Sequence, residues 1–236
     1  MIRSFMARIA RPEAAPPWNS SAALQAVVVA FMCMLVGVNG MAAVFGQQPF
    51  IFLAGYAVGC ALTLVYLWFT RRKAEDRAAL RLQTPGSTSL LLIAFLCLGV
   101  ALASDVLRRY QAVPELQYFD NSALEWVLAI VLMVFLQPLA EEIVFRGVMY
   151  PALRVTFGAW TGLFACTLAH AVFHFVSYSP AQLDLNTLWL TFVLPYIDSL
   201  VLTLIRAYTG STRAAIVGHM AFGLFAVVKL IALGSG

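Results

Sequence analysis

Glu141 and Glu142 stand side by side in one of the most apolar stretches of a 236-residue chain, and Arg146 follows four residues after the second. The preceding residues 128–139 carry no charge at all. An ionised side chain at bilayer depth costs about 3 kcal/mol or more, so such residues face protein or water and mark function. On a helix Glu142 and Arg146 lie one turn apart and can pair, whereas Glu141 is turned about 100° from Glu142 and has no local partner. A paired carboxylate reads as structural. A buried carboxylate without a counter-charge titrates closer to neutrality and reads as a general base.

The chain has only three histidines, His170, His174 and His219, and all fall in apolar stretches. Counted from a turn at residues 155–158, the two glutamates and His170 stand at similar depth on antiparallel helices, with His174 about 6 Å further along. His170 and His174 are four apart and share a helix face. His219 lies seven residues into the last stretch, within the same half of the membrane. One cavity, opening to the cytoplasm, is therefore expected to collect both carboxylates and all three imidazoles. Such a set can activate water. The carboxylate takes a proton, and an imidazole orients the water or returns the proton to a leaving amine. No Ser or Cys nucleophile is required, and nothing marks Cys166, two turns from His174, as a thiolate.

The same residues permit a metal. Glu141, His170, His174 and His219 are possible Zn²⁺ ligands, and His-x-x-x-His is a common zinc spacing. Residue 171 is Ala, however, where the HExxH motif has Glu.

The elements that must position these groups are membrane spans. The chain is 62% hydrophobic and 11% charged, with mean hydropathy +0.86. A soluble domain carries about 25% charge. The expected class is all-α, a polytopic transmembrane helical bundle of about seven spans, with an eighth, interfacial helix as an option. Seven stretches reach the ~20 apolar residues a span needs: 22–45, 50–70, 88–107, 122–150, 157–178, 186–208 and 212–233. The fourth exceeds one bilayer and is expected to project from it. Residues 1–21 read as a partly disordered cytoplasmic tail, 22–121 as spans with a basic linker, and 122–236 as a catalytic core within a single membrane domain. Pro138, Pro151 and Pro195 are expected to kink helices around the cavity. Asn39 and Gln137 read as interhelical hydrogen-bonding residues.

The linker from Arg71 to Arg81 holds five Lys/Arg. By the positive-inside rule it and the tail are cytoplasmic, and the C-terminus is outside; Arg108 and Arg109 are a modest exception. Residues 114–120 and 178–184 read as external loops, with Tyr110, Tyr118, Phe119 and Trp126 as interface anchors. The net charge of +4 belongs to this topology and not to a nucleic-acid partner. Cys33, Cys60, Cys97 and Cys166 are scattered singly, as buried reduced residues are.

The run Glu141-Glu142-x-x-Phe145-Arg146-Gly147 resembles the EExxxR signature of the CAAX-processing and bacteriocin-immunity family. The likeness continues through Tyr150–Arg154 and Phe157–Trp160 to His174, at the place of the family's FxxxH histidine, and on through 208–219 to its HxxxN motif. It covers roughly residues 122–226. The resemblance implies an intramembrane glutamic-type endopeptidase without cofactor or metal, similar to the type II CAAX prenyl endopeptidases and located in the cell membrane. Glu141 with His174 would activate water, His219 would stabilise the oxyanion, and Glu142–Arg146 would hold the helix. Its substrate would be a membrane protein or lipidated peptide, cut near its C-terminus or at a sorting or leader segment.

Two positions depart from the pattern. His170 replaces the family's Phe, and Gly223 replaces the Asn thought to pair with His219 in stabilising the oxyanion. Loss of such a donor typically costs about 10²–10³ in rate. Asp198 and His170 are the polar residues that could compensate. A non-catalytic immunity or binding protein on the same scaffold is the reading Gly223 favours, and a metal-dependent membrane hydrolase is the other alternative. A transporter finds no support in an inverted repeat.

Overall fold

The computed structural model describes residues 2–107, 122–178 and 183–234, and among these the regular structure is entirely helical. In chain order the helices are α1 (Ile2–Ile9), α2 (Ser20–Phe45), α3 (Pro49–Thr70), α4 (Ala74–Ala79), α5 (Ser87–Leu107), α6 (Ala123–Phe157), α7 (Ala159–Tyr178), α8 (Leu185–Thr209) and α9 (Thr212–Gly234). Seven of the described helices, α2, α3 and α5–α9, are long and apolar enough to cross a membrane. Their many exposed Leu, Val and Phe side chains are the surface that lipid covers. The chain is a multi-pass membrane protein.

Helix α6 starts where Ser122 and Glu125 form a reciprocal capping box. It runs unbroken for 35 residues, longer than one bilayer requires. Its geometry is not uniform. The i→i+5 spacing of a π-helix appears at Val131–Leu136 and Ile143–Met149, and again in α8 at Trp189–Val193. Each widened stretch ends two residues before a proline: Pro138, Pro151 and Pro195. A proline lacks the N–H for the carbonyl one turn back and collides with it. Widening the turn relieves both problems, so the expected kinks take the form of π-helical segments.

Helices α2 and α3 meet through glycines. A Cβ on Gly37 would lie 2.3 Å from the Gly55 carbonyl oxygen, and one on Gly59 would lie 2.7 Å from Met34 Cα. The Gly55-x-x-x-Gly59 face lets the two backbones touch, the close approach that drives helix association in lipid. Against this pair α6 buries Val144, Phe145 and Val148.

The tail differs from expectation, since it is tied down along its length. Trp18 Nε1 donates to the Val148 carbonyl at 2.9 Å, Arg154 donates to the Ile9 carbonyl at 2.8 Å and also to that of Arg11, and Glu13 pairs with Arg206. Buried arginines need acceptors, and the tail supplies them. Asn39 also differs: its amide donates to the Leu35 carbonyl of its own helix at 2.8 Å and, among the described residues, joins no neighbouring helix. Residues 108–121 and 179–182, with Arg108, Arg109, Tyr110, Tyr118, Phe119 and most of both expected external loops, lie outside the described residues. Trp126 is half-buried on α6.

Candidate active site

Arg146 is the hub. It is fully buried on the π-helical part of α6. Its five N–H groups all find acceptors: Nε meets Thr203 Oγ1 at 3.3 Å, and one terminal nitrogen meets Glu142 Oε1 at 2.9 Å and His170 Nδ1 at 3.1 Å. The other meets the Ser199 carbonyl at 2.9 Å and its hydroxyl at 2.8 Å. Five donors is the full complement of a guanidinium. Ser199 and Thr203, one turn apart on α8, thus clamp α8 to α6.

Arginine only donates, so His170 Nδ1 must be the accepting nitrogen. The proton of the neutral ring then sits on Nε2, which donates to Glu141 Oε2 at 2.7 Å. This tautomer follows from the network. His174 Nε2 lies 3.0 Å from the same oxygen, and Gln137 Nε2 donates to Glu141 Oε1 at 3.0 Å. Glu141 therefore has partners on both oxygens, which corrects the expectation of a partnerless carboxylate. Its i−4 neighbour Gln137 is one of them, so Gln137 is part of the site. The Tyr178 ring covers His174, with centroids 5.1 Å apart.

His219 turns to the other carboxylate. Its Nδ1 lies 2.9 Å from Glu142 Oε1, the oxygen that also receives Arg146. The ring centroids of His170 and His174 are 4.8 Å apart and those of His170 and His219 are 6.1 Å apart, so two helices, α7 and α9, bring all three imidazoles together beside the glutamates of α6. The His174 and His219 side chains keep 16% and 13% exposure, while His170 is buried. The first two are the rings that can meet a substrate.

Among the described residues, two buried carboxylate oxygens, Glu142 Oε2 and Asp198 Oδ1, have no hydrogen-bond donor from the protein. An ionised oxygen without a donor is costly to bury. Both therefore call for water or a substrate N–H. Asp198 lies within electrostatic reach of His219 and Arg146.

Gly223 has a steric explanation. A Cβ there would lie 1.9 Å from the Met133 carbonyl oxygen, in the first π-helical segment of α6. No asparagine fits without moving one helix, so this position supplies packing and no donor. His170, with both nitrogens engaged, cannot supply one either.

Glu141, His170 and His174 can place one ligand atom each within 4.8 Å of one another, a geometry open to a metal ion. His219, turned to Glu142, is not part of that group. The donor set fits a metal poorly. Coordination by His170 Nε2 needs its lone pair, hence a proton on Nδ1, where Arg146 already points an N–H.

The fold and site define a helical membrane protein with a buried Glu/Arg/His centre. Residues 121–225 match the family described as type II CAAX prenyl endopeptidase Rce1-like, a stretch that carries every one of these polar groups. That match, over somewhat less than half of the chain, supports the likeness to the CAAX-processing proteases that the EExxxR run suggested. No curated protein and no solved structure matches the chain.

Proposed function

We propose that the protein is a glutamic-type intramembrane endopeptidase in which Glu141 and His174 act as one unit. With its Nε2–H directed to Glu141, His174 has Nδ1 left over, and among the described residues that nitrogen has no hydrogen-bond partner. Nδ1 takes a proton from water, the hydroxide adds to a peptide carbonyl, and Glu141 balances the charge that develops on the ring. The same nitrogen returns the proton to the leaving amine. His219, with Nδ1 engaged by Glu142, stabilises the oxyanion through Nε2 when the ring carries both protons. Arg146 and His170 are positioning residues: one holds Glu142, the other connects Arg146 to Glu141.

The observation that carries this reading is the pair of imidazoles on Glu141, one buried and saturated, the other partly exposed with a free nitrogen. The substrate is a membrane-associated polypeptide cut near its C-terminus or at a sorting or leader segment. The likeness to type II CAAX prenyl endopeptidases makes a prenylated C-terminus the first candidate. The protein sits in the cell membrane with its N-terminus cytoplasmic, in keeping with the basic tail and linker.

A metal-dependent hydrolase is the second reading, favoured by the three close ligand atoms. Detergent-purified protein incubated with prenylated and unprenylated membrane peptides, with and without chelator, tests both. Cleavage that survives the chelator and is lost in His174→Ala supports the Glu/His unit. Loss with chelator transfers the site to a metal. Identical products from wild type and His174→Ala remove the enzyme reading.

A further inference from the structure

The end of the bundle that carries the tail holds a second polar constellation, built from different residues. A pocket of about 320 Å³ lies between Arg8, Arg11 and Glu13 of the tail, Arg81 and Gln83 of the linker, and the turn after Tyr208. That volume falls in the range of ~300–1,000 Å³ usual for ligand sites. Its one carboxylate is occupied elsewhere: Glu13 Oε1 and Oε2 receive Arg206 at 2.9 and 3.1 Å. Arg8 is half-engaged, with Nε donating to the Tyr208 carbonyl at 3.1 Å and its guanidinium 4.3 Å above the Tyr208 ring. Among the described residues, the Arg11 and Arg81 side chains make no hydrogen bond and no close ion pair, and Arg81 lies within electrostatic reach of Glu13.

Arg81 is held in place. It is half-buried, and it is the one described residue other than glycine with positive φ, at 54°. A side chain in that region is strained by roughly 1 kcal/mol. The strain persists because the Arg81 carbonyl accepts the Thr212 N–H at 2.9 Å, where α9 begins, while Ser211 Oγ donates to the Gln83 carbonyl at 2.7 Å. The linker is thereby fastened to the α8–α9 turn with Arg81 at the pocket wall.

The surroundings belong to a membrane surface. Helix α1 places Ile2, Phe5, Met6 and Ile9 on one stripe; Ile9 is buried, Phe5 stacks on Tyr208 at 5.4 Å, and Ile2 and Met6 stay exposed. Leu82 is exposed beside Arg81. A short amphipathic helix with its apolar stripe open, level with the ends of α8 and α9, lies where headgroups meet acyl chains.

We infer that this pocket binds a phosphate group, with Arg11 and Arg81 as its clamp and an anionic phospholipid headgroup as its source in the membrane. Guanidinium groups recognise phosphate oxygens in pairs, and the apolar residues beside the pocket can follow the acyl chains. A soluble phosphate shares the headgroup's chemistry and is separated from it by the test. The site stands independently of the proposed protease mechanism.

Native mass spectrometry of the full chain in detergent measures this with phosphatidylglycerol, phosphatidylcholine and inorganic phosphate as probes. Phosphatidylglycerol is expected to bind in preference to phosphatidylcholine. The double variant Arg11→Gln/Arg81→Gln should weaken it about 30-fold, from roughly fivefold per charge at a membrane surface. Arg3→Gln/Arg72→Gln, which removes equal charge away from the pocket, should leave it unchanged. Binding by the wild type should also weaken from low to high salt, a readout that needs no variant. Bound phosphatidylglycerol that resists excess inorganic phosphate assigns the site to lipid, and displacement assigns it to a soluble phosphate. Equal binding by wild type and the Arg11/Arg81 variant, equal binding of the two lipids, or indifference to salt overturns the inference.

Discussion

Two arginine–glutamate pairs, each built on a fully buried arginine, end in opposite conditions. Arg206 and Glu13 close on each other with two hydrogen bonds, and both carboxylate oxygens are satisfied. Arg146 and Glu142 share one oxygen with His219, and Glu142 Oε2 receives no donor from the described residues. The first pair fastens the tail to the end of α8. The second holds imidazoles and a carboxylate oxygen open in the middle of the bundle. Burial of charge does not distinguish the two, but unused hydrogen-bonding capacity does. Buried ion pairs are weak evidence of function by themselves. An orphaned oxygen beside a partly exposed histidine is stronger.

The contrast can be broken at several points. The largest effect is expected at the centre: Glu141→Gln should lower peptide cleavage about 10³-fold, within the 10²–10⁴ range of general acid–base groups, with little change in thermal stability. At the other pair the pattern should invert. Glu13→Gln leaves Arg206 buried with no anion, so unfolding should cost about 3 kcal/mol less while cleavage per folded molecule stays near wild type.

The tail pair also carries a pH signature. Burial opposes ionisation of Glu13, but the Arg206 hydrogen bonds and charge, with the charges of Arg154 and Arg81, outweigh it and hold this carboxyl below its ordinary range. A depressed carboxyl stabilises the fold at any pH above its unfolded value and loses that contribution as pH falls through the folded value. Trp18 fluorescence should therefore report tail release only on acidification below about pH 4, the ordinary carboxylate range. The signal should not change between pH 6 and 8.

A smaller effect tests Gly223. Gly223→Asn, which restores the family residue, should destabilise the protein by about 2 kcal/mol through overpacking against Met133, measurable as a lowered Tm, with no gain in rate. A faster enzyme would show that α9 can yield and that the second donor matters. The smallest is His170→Phe, the other restoration: Arg146 loses an acceptor and Glu141 a donor, and because both keep their other partners cleavage should fall only about tenfold.

Much of this was legible in the residues. The seven spans follow from apolar run length, since 22–45 became Ser20–Phe45 and 88–107 became Ser87–Leu107. The convergence of Glu141, His170 and His174 followed from counting turns at 1.5 Å per residue. What resisted was the direction each side chain takes. Spacing gave Glu142 to Arg146 and left Glu141 alone, yet Gln137, also four residues away, caps Glu141, because an amide in an apolar helix seeks a carboxylate as readily as an arginine does. His219 could not be assigned between adjacent glutamates that differ by a rotation set only by packing.

The tail failed for a related reason. Its Pro and Arg content reads as disordered, and only the three-dimensional placement of Arg154 and Arg206 explains why Ile9, Arg11 and Glu13 are needed as acceptors. The glycine at 223 was an absence in sequence and is a contact in space. Ser199 and Thr203, one turn apart on a mostly apolar helix, were the available signal for an arginine clamp.

The most direct measurement is the rate of peptide cleavage by purified Glu141→Gln beside wild type, both in chelator and both shown by their melting curves to be folded. Wild-type activity should resist the chelator, and the folded variant should be slower by about three orders of magnitude. A folded Glu141→Gln that cleaves as fast as wild type would contradict it.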